Sequence, residues 1–324
     1  MSDHSQGIVN SKNSMEPVPF RVAVLALALI ASSQLARSQK LAQPMRLVIL
    51  GTGTPVADPA RSGPGVAIVV GSEAYIVDAG PGIVRRAAAA AGQGFPALQA
   101  QNLRHVFITH LHSDHTVGLP DLMLSPWPLG RRTPLEVYGP VGIRRMTRLI
   151  EEAWEEDEQK RMFGPEGLRR PNYKAVTHEI EAGTIFDDGT VRVDAIAVAH
   201  ASWPAAFGYR FETADRKIVV SGDTRPTQAL ADACNKCDVL VHEVYSSTLT
   251  TRDATGQLQS PGSYHSMAHT STAQLAALAT KAQPRLLVLY HQLYGTATDA
   301  DLELEVRRAG YRGRVVSAKD LDSF

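Results

Sequence analysis

The segment Thr109-His110-Leu111-His112-Ser113-Asp114-His115 constrains this chain more than any other. It follows directly on the apolar run Val106-Phe107-Ile108, which reads as a buried strand, and it places four metal-ligand side chains in six positions. In an extended backbone His110 and His112 point to the same side, so they can share one cation. Asp114 and His115 come next, where the chain turns toward a helix, and a carboxylate beside an imidazole suits a second cation close by. A lone histidine is ordinarily structural, but burying this many polar groups without a metal would cost on the order of several kcal/mol.

The surrounding sequence supplies strands and helices in an order that frames this cluster. Met45 to Leu50 is a short strand ending in Gly51-Thr52-Gly53-Thr54-Pro55, whose glycines suggest a loop with backbone angles other residues avoid. Val66 to Val70 and Ala74 to Val77 form a hairpin around Gly71-Ser72-Glu73, and the second strand runs into Asp78-Ala79-Gly80. Helices are expected from Ile83 to about Ala91, from Gly118 through Leu124, and over Arg144 to Met162, where apolar residues recur at three- and four-residue steps. Strands resume at Val191 to Val198, Phe207 to Glu212, Lys217 to Val220, Val239 to Val241 and Leu286 to Tyr290. Helices are expected near Thr227 to Ala233, at Thr272 to Lys281 and at Asp299 to Ala309. Strand groups bracketed by helices in both halves predict an α/β fold of two facing sheets with helices outside, an αββα sandwich. A single domain from about residue 45 to 324 is expected.

Composition narrows the class. With 44% hydrophobic and 20% charged residues the chain is globular, and 33 cationic side chains balance 33 anionic ones, so no bulk charge attracts a polyanion. A local basic patch stays open, although Arg131, Arg132, Arg144, Arg145, Arg169 and Arg170 are scattered and read more readily as salt-bridge partners. At the N-terminus, Arg21 precedes the apolar run Val22 to Ala31 and then Ala36-Arg37-Ser38. The run is shorter than the roughly 20 residues a bilayer span needs, so residues 1–38 read as a signal peptide with translation starting at Met1 or Met15. Export to the periplasm or outside is therefore expected, an uncleaved N-terminal anchor being the alternative. Cys234 and Cys237 are too few for an all-cysteine zinc site, which leaves a local disulfide or two buried thiols.

The pattern H-x-H-x-D-H after a strand resembles the metallo-β-lactamase fold superfamily, and the likeness spans nearly the whole chain beyond the signal. Within that resemblance His200 corresponds to a third histidine of the first metal, Asp223 in Ser221-Gly222-Asp223-Thr224 to a carboxylate shared by both metals, and His291 after Tyr290 to the last ligand. The implied arrangement is His110, His112, His200 and Asp223 on one divalent ion, taken as zinc, and Asp114, His115, Asp223 and His291 on the other. A water held between the two ions would act as nucleophile, with Asp114 also counted among the catalytic residues. Gly51-Thr52-Gly53-Thr54-Pro55, Val241-His242-Glu243 and His269-Thr270-Ser271-Thr272-Ala273 are similar to the ribonuclease Z and arylsulfatase-like branch. That branch implies His269 as a general acid or oxyanion contact that binds no metal, with Asp78, His242 and Glu243 orienting the ligands or His269. His105, His178 and His265 belong to no motif and are taken as structural or surface residues.

The expected activity is a dinuclear zinc hydrolase for small anionic esters, an aryl sulfate or phosphodiester. One alternative is a ribonuclease Z-type endonuclease acting on tRNA 3′ ends, with RNA as partner; the second is a β-lactam or lactone hydrolase. A metal-binding protein without catalysis is a different class, against which the complete ligand set and His269 argue. The long arm with which the tRNA enzymes of that family grip their substrate is not seen between His112 and His200, and export would keep the protein from precursor tRNA. A homodimer is compatible with the resemblance.

Overall fold

Alternation along the strands sorts side chains into two layers. In β1 (Arg46–Gly51), Leu47 and Ile49 face one way and Val48 and Leu50 the other, and all four are buried. The structure is a computed structural model that describes Met1 and residues 44–252, 258–259 and 263–324. Apart from Met1, the stretch read as an export signal lies outside the described residues. Next come β2 (Gly65–Val70), β3 (Glu73–Val77), α1 (Ile83–Gly92), β4 (His105–Phe107), α2 (Ser113–Thr116), α3 (Leu119–Leu124), β5 (Leu135–Gly139), α4 (Ile143–Ala153), α5 (Glu155–Phe163) and β6 (Ala175–Glu179). The chain continues through β7 (Gly183–Asp187), β8 (Arg192–Ala197), β9 (Phe207–Glu212), β10 (Lys217–Val220), α6 (Gln228–Cys234) and β11 (Val239–Tyr245). A small hairpin, β12 (Thr251–Arg252) with β13 (Leu258–Gln259), precedes α7 (Ser263–Ala268), α8 (Thr272–Ala282), β14 (Leu286–Leu293), α9 (Asp299–Arg308) and β15 (Val315–Ser317).

Strands β1 to β6 form one sheet in chain order, and β15-β14-β11-β10-β9-β8-β7 form the other. Both are mixed: β3 to β6 pair in parallel after an antiparallel start, and β10, β11, β14 and β15 pair in parallel beyond the antiparallel β7 to β10. Leu47, Ile49, Tyr75, Phe107, Tyr209, Phe211 and Val241 fill the space between the sheets. There Phe107 stacks on Tyr138 at 4.8 Å and meets Phe211 edge-on at 5.5 Å. The outer faces pack on helices: α1, α3 and α4 on the first sheet, α6, α8 and α9 on the second. The expected αββα sandwich is thus the observed fold.

Several boundaries differ from expectation. The helix expected over Arg144 to Met162 breaks at Trp154, whose backbone (φ −108°, ψ 14°) is not helical. Ile143, Thr147 and Ile150 bury one stripe before the break and only Glu158 is buried after it, so the packing that keeps a helix straight runs out there. Strands β5, β6, β7 and β15 were not foreseen; β6 and β7 are edge strands with few buried residues and so carry no clear apolar alternation. Gly51 is demanded by contact rather than by backbone angle, since a Cβ there would lie 2.0 Å from the Gly63 carbonyl. Arg131 belongs to no basic rim: it is buried and donates to the backbone carbonyls of Leu122 at 2.7 Å and Asn172 at 2.9 Å. Cys234 and Cys237 form a disulfide that closes the end of α6.

Asp194 on β8 ties three strands together. Its Oδ1 accepts from Thr184 Oγ1 on β7 at 2.6 Å and from Arg192 Nε at 3.1 Å, and its Oδ2 accepts from Arg210 Nε on β9 at 3.0 Å. Burial pushes its pKa up, but these donors outweigh burial and hold it below the usual carboxylate value. A depressed folded pKa stabilises above the unfolded pKa of about 4 and ceases to do so as pH falls through the folded value. Asp194→Asn is therefore expected to lower the unfolding free energy by about 1.5–3 kcal/mol at neutral pH. In urea titrations the gap between wild type and variant should shrink below about pH 4; a gap that widens on acidification would refute this account.

Candidate metal centre

The donors come from strand ends of both sheets. At the end of β4 the Thr109 N–H donates to Asp78 Oδ1 at 2.8 Å, which fixes the backbone just before His110. His112 is still extended, and α2 then lifts Asp114 and His115 beside it. On the second sheet His200 follows β8 and Asp223 follows β10. Gly222 makes that last turn at φ 60°, where a Cβ would meet the Phe207 carbonyl at 2.7 Å and Thr109 Cβ at 2.9 Å. His291 lies within β14: Tyr290 pairs with Glu243 and Gln292 with Val244, so His291 is the extra residue of a β-bulge, at φ 45°. Asp78 likewise has φ 63°. Left-handed backbone at two non-glycine residues of one site is strain held by the surrounding fold to aim these side chains.

Seven side chains meet there in two groups, with Asp223 of the first reaching the second. His112 Nδ1 is 2.9 Å from His110 Nε2 and 3.1 Å from His200 Nε2, and His110 Nε2 is 4.0 Å from Asp223 Oδ2. On the other side, Asp114 Oδ2 lies 3.3 Å from His291 Nε2 and 3.4 Å from His115 Nε2, and Asp223 Oδ2 lies 3.4 Å from each of those nitrogens. Within each group, His110, His112, His200 and Asp223 or Asp114, His115 and His291, the donor atoms are within 4.8 Å of one another.

The surroundings fit divalent cations. Asp78, Asp114, Asp223 and Glu243 are all buried, and among the described residues no Lys or Arg forms an ion pair with any of them. Buried carboxylates need a positive partner. His115 Nε2 and Asp223 Oδ1 have no hydrogen-bond partner. Burial opposes a charge on His115, but Asp223 and Asp78 overcome it and raise its pKa well above the ordinary value, so these carboxylates draw positive charge toward its Nε2. Burial pushes His110 well down and His200 down to about 4, which leaves both as neutral nitrogen donors.

Around the donors stand the residues that orient them. Asp78 Oδ2 accepts from His115 Nδ1 at 2.8 Å, and Thr109 Oγ1 contacts both Asp78 and His110 Nδ1 at 3.0 Å. His200 Nδ1 donates to the Ala268 carbonyl at 2.8 Å. These contacts leave the Nε2 atoms of His110, His115 and His200 directed at the donor groups. Glu243 Oε1 accepts the backbone N–H groups of Thr224 and Thr270, each at 3.1 Å, and lies 3.3 Å from His269 Nδ1. Burial lowers the His269 pKa, but Glu243 and Asp223 more than offset it and lift the value to about 9. His269 Nδ1 is also 4.0 Å from Asp223 Oδ2, and His269 forms a third donor group with Asp223 and His291.

His242 is not brought to the donors. Glu243 points into the sandwich after Val239 and Val241, whereas His242 shares the helix-facing side of β11 with Leu240 and Val244. It donates from Nδ1 to the Glu243 carbonyl at 2.7 Å, and its Nε2 has no hydrogen-bond partner. His105 stacks on Tyr75 and His178 on Tyr138, away from the site, while His265 lies 5.8 Å from the His269 ring. Sequence reasoning missed Thr109, whose place before His110 was the available signal. It also missed Trp203, for which there was none.

Trp203 donates its indole N–H to His112 Nε2 at 2.8 Å. A cation bound at His112 Nδ1 leaves the ring proton on Nε2, and two donors cannot share a hydrogen bond. Zinc titration of chelator-treated protein is therefore expected to change Trp203 emission with saturation, and Trp203→Phe to abolish the change. Identical wild-type spectra with and without tightly bound zinc would refute this.

A family model described as the Beta-lactamase superfamily domain matches residues 74–292. The ribonuclease Z of Mycobacterium bovis (strain BCG / Pasteur 1173P2) is 30% identical over 281 residues, covering 86% of this chain and 96% of that protein. The ribonuclease Z of Mycobacterium marinum is 31% identical over 283 residues, 86% of this chain and 97% of that one. Among solved structures, the metallo-beta-lactamase fold protein YhfI of Bacillus subtilis superposes with a TM-score of 0.65 at 15% identity, covering 87% of this chain and 99% of its own. The short form of human tRNase Z gives 0.63 at 23%, covering 86% and 98%. With the family model spanning most of the sandwich and relatives matched almost end to end, this chain belongs to the beta-lactamase superfamily and is a hydrolase of the metallo-β-lactamase fold.

Proposed function

We propose that the chain is a metal-dependent phosphodiesterase of the ribonuclease Z kind, hydrolysing a phosphodiester of RNA. The observation that carries this is the near full-length likeness to ribonuclease Z proteins, combined with the His269–Glu243 pair beside the donor groups. In this reading His110, His112, His200 and Asp223 hold one divalent cation and Asp114, His115, Asp223 and His291 the other, both zinc. Bound there, such ions offset charge on the diester oxygens and make water acidic near neutral pH. The protein residues then position and move protons. Asp114, with 8% exposure the most open of the carboxylates here, accepts a proton from the attacking water. His269, with Nδ1 against Glu243, has Nε2 free for the substrate and protonates the departing oxygen. Asp78 and Thr109 keep His115 and His110 in register.

A second reading, a hydrolase of small anionic esters such as an aryl sulfate or aryl phosphodiester, is favoured by the compact loops. β9 and β10 are joined by a short turn closed by Thr213 N–H to the Arg216 carbonyl, and the segment from α4 to β6 folds onto the first sheet. Export belongs with this second reading, because the Cys234–Cys237 disulfide suits an oxidising compartment.

The test is turnover of zinc-loaded protein on a tRNA precursor, an aryl phosphodiester, an aryl sulfate and a β-lactam. Clean 3′ cleavage of the RNA is expected; rapid aryl ester hydrolysis with RNA untouched would transfer the assignment to the second reading. His110→Ala should lose both zinc and turnover, and His269→Ala should keep zinc while kcat falls about 10²–10⁴-fold. Loss of zinc from His269→Ala, measured by metal analysis, would make His269 a ligand instead.

A further inference from the structure

We infer that the groove between α6, α7 and α8 binds the phosphates of an RNA strand running on from the scissile diester; this rests on the ribonuclease reading. The groove has a volume of about 810 Å³ and is lined by Ala199, Arg225, Thr227, Gln228, Gln274 and Lys281 among others. One end adjoins the metal centre, because Ala199 precedes His200, Arg225 follows Asp223 by two residues, and the Arg225 N–H donates to the Ala199 carbonyl at 2.9 Å.

Its lining carries two cations and no anion. Neither Arg225 nor Lys281 forms an ion pair with any described residue, so eight cationic N–H bonds are free. Gln274 spends its Oε1 on Ser271, which leaves its amide NH₂ to donate. Thr227 accepts from the Leu230 N–H, which leaves its hydroxyl proton available. No carboxylate lines the groove, and Asp232 next to it takes the Gln228 amide at 2.8 Å. Gln274 and Lys281 are seven residues apart on α8, about 10 Å along its axis, room for about three steps of a stacked strand. Phosphate oxygens are the acceptors such a surface suits, and in a chain of zero formal net charge local cations must do the attracting.

The approach beside Asp114 differs. The groove beside Asp114 is lined by Pro55, Val56, Asp58, Pro59 and Val117, and its one cation, Arg61, is bound to Asp299 at 3.1 Å. That side offers a polyanion no unpaired cation. The strand is therefore directed toward Arg225.

The experiment measures binding of a fluorescent RNA oligonucleotide to the full-length protein by anisotropy over a salt series. Arg225→Ala/Lys281→Ala is expected to weaken binding at low salt and to reduce the log–log salt slope by about 1.4–1.8. Arg312→Ala, an exposed arginine elsewhere, should leave the slope unchanged. Hydrolysis of a small aryl phosphodiester, too short to enter the groove, checks that the double variant is folded. An unchanged slope in a folded double variant would overturn the groove alone. A wild-type protein that hydrolyses the small ester yet neither binds nor cuts RNA would overturn the ribonuclease reading and the groove together. A poly-glutamate peptide that displaces RNA at equal charge concentration would assign the groove to an acidic protein.

Discussion

Four carboxylates, Asp78, Asp114, Asp223 and Glu243, are buried where strand ends of the two sheets meet, and among the described residues the only ionisable bases paired with them are imidazoles. Much of the local architecture follows from that imbalance. It accounts for the raised pKa of His115 and of His269, each beside a carboxylate with no Lys or Arg to balance it. It also accounts for why Asp78 is held from three sides, by the Thr109 N–H and hydroxyl and by His115. A buried acid held by several donors is fixed in place and can orient its neighbours.

The strained backbone belongs to the same constraint. Asp78 and His291 adopt left-handed conformations that side chains seldom take. Regular strand geometry at either place would turn the side chain toward the opposite face. The bulge at His291 adds one residue to β14 without breaking its pairing with β11, so the register of Val239 to Glu243 is kept while the imidazole is re-aimed. Gly222 does the corresponding work beside Asp223 by allowing the backbone to pass close to Thr109.

Much of this was legible in the sequence, for reasons that can be traced. The quartet at residues 110–115 follows a short apolar strand, and its spacing encodes which side chains point together. Strands β1, β2 and β10 and the first half of β11 were legible because they are buried on both faces and spell out apolar runs. Edge strands β6 and β7 were not, because half-exposed residues leave no such run. His242 misled because adjacency to Glu243 in sequence means opposite faces in a strand. The break at Trp154 hid behind charges that continue the helical composition after the buried stripe has ended. Trp203 and the cations of the α6–α8 groove lie in no local pattern; only the folded chain places Arg225 near Lys281.

The spacing of the quartet also bears on how the protein reaches its folded state. His110, His112, Asp114 and His115 are neighbours in any conformation, whereas His200, Asp223 and His291 join them only after β8, β10 and β14 have found their places across long stretches of chain. An unfolded chain therefore keeps a partial chelating site. Ions taken up by that site favour the unfolded ensemble as well as the native one, so the stabilisation gained on loading is smaller than the native affinity alone implies. A chain that meets free metal before its second sheet has assembled begins folding with half of its centre already claimed.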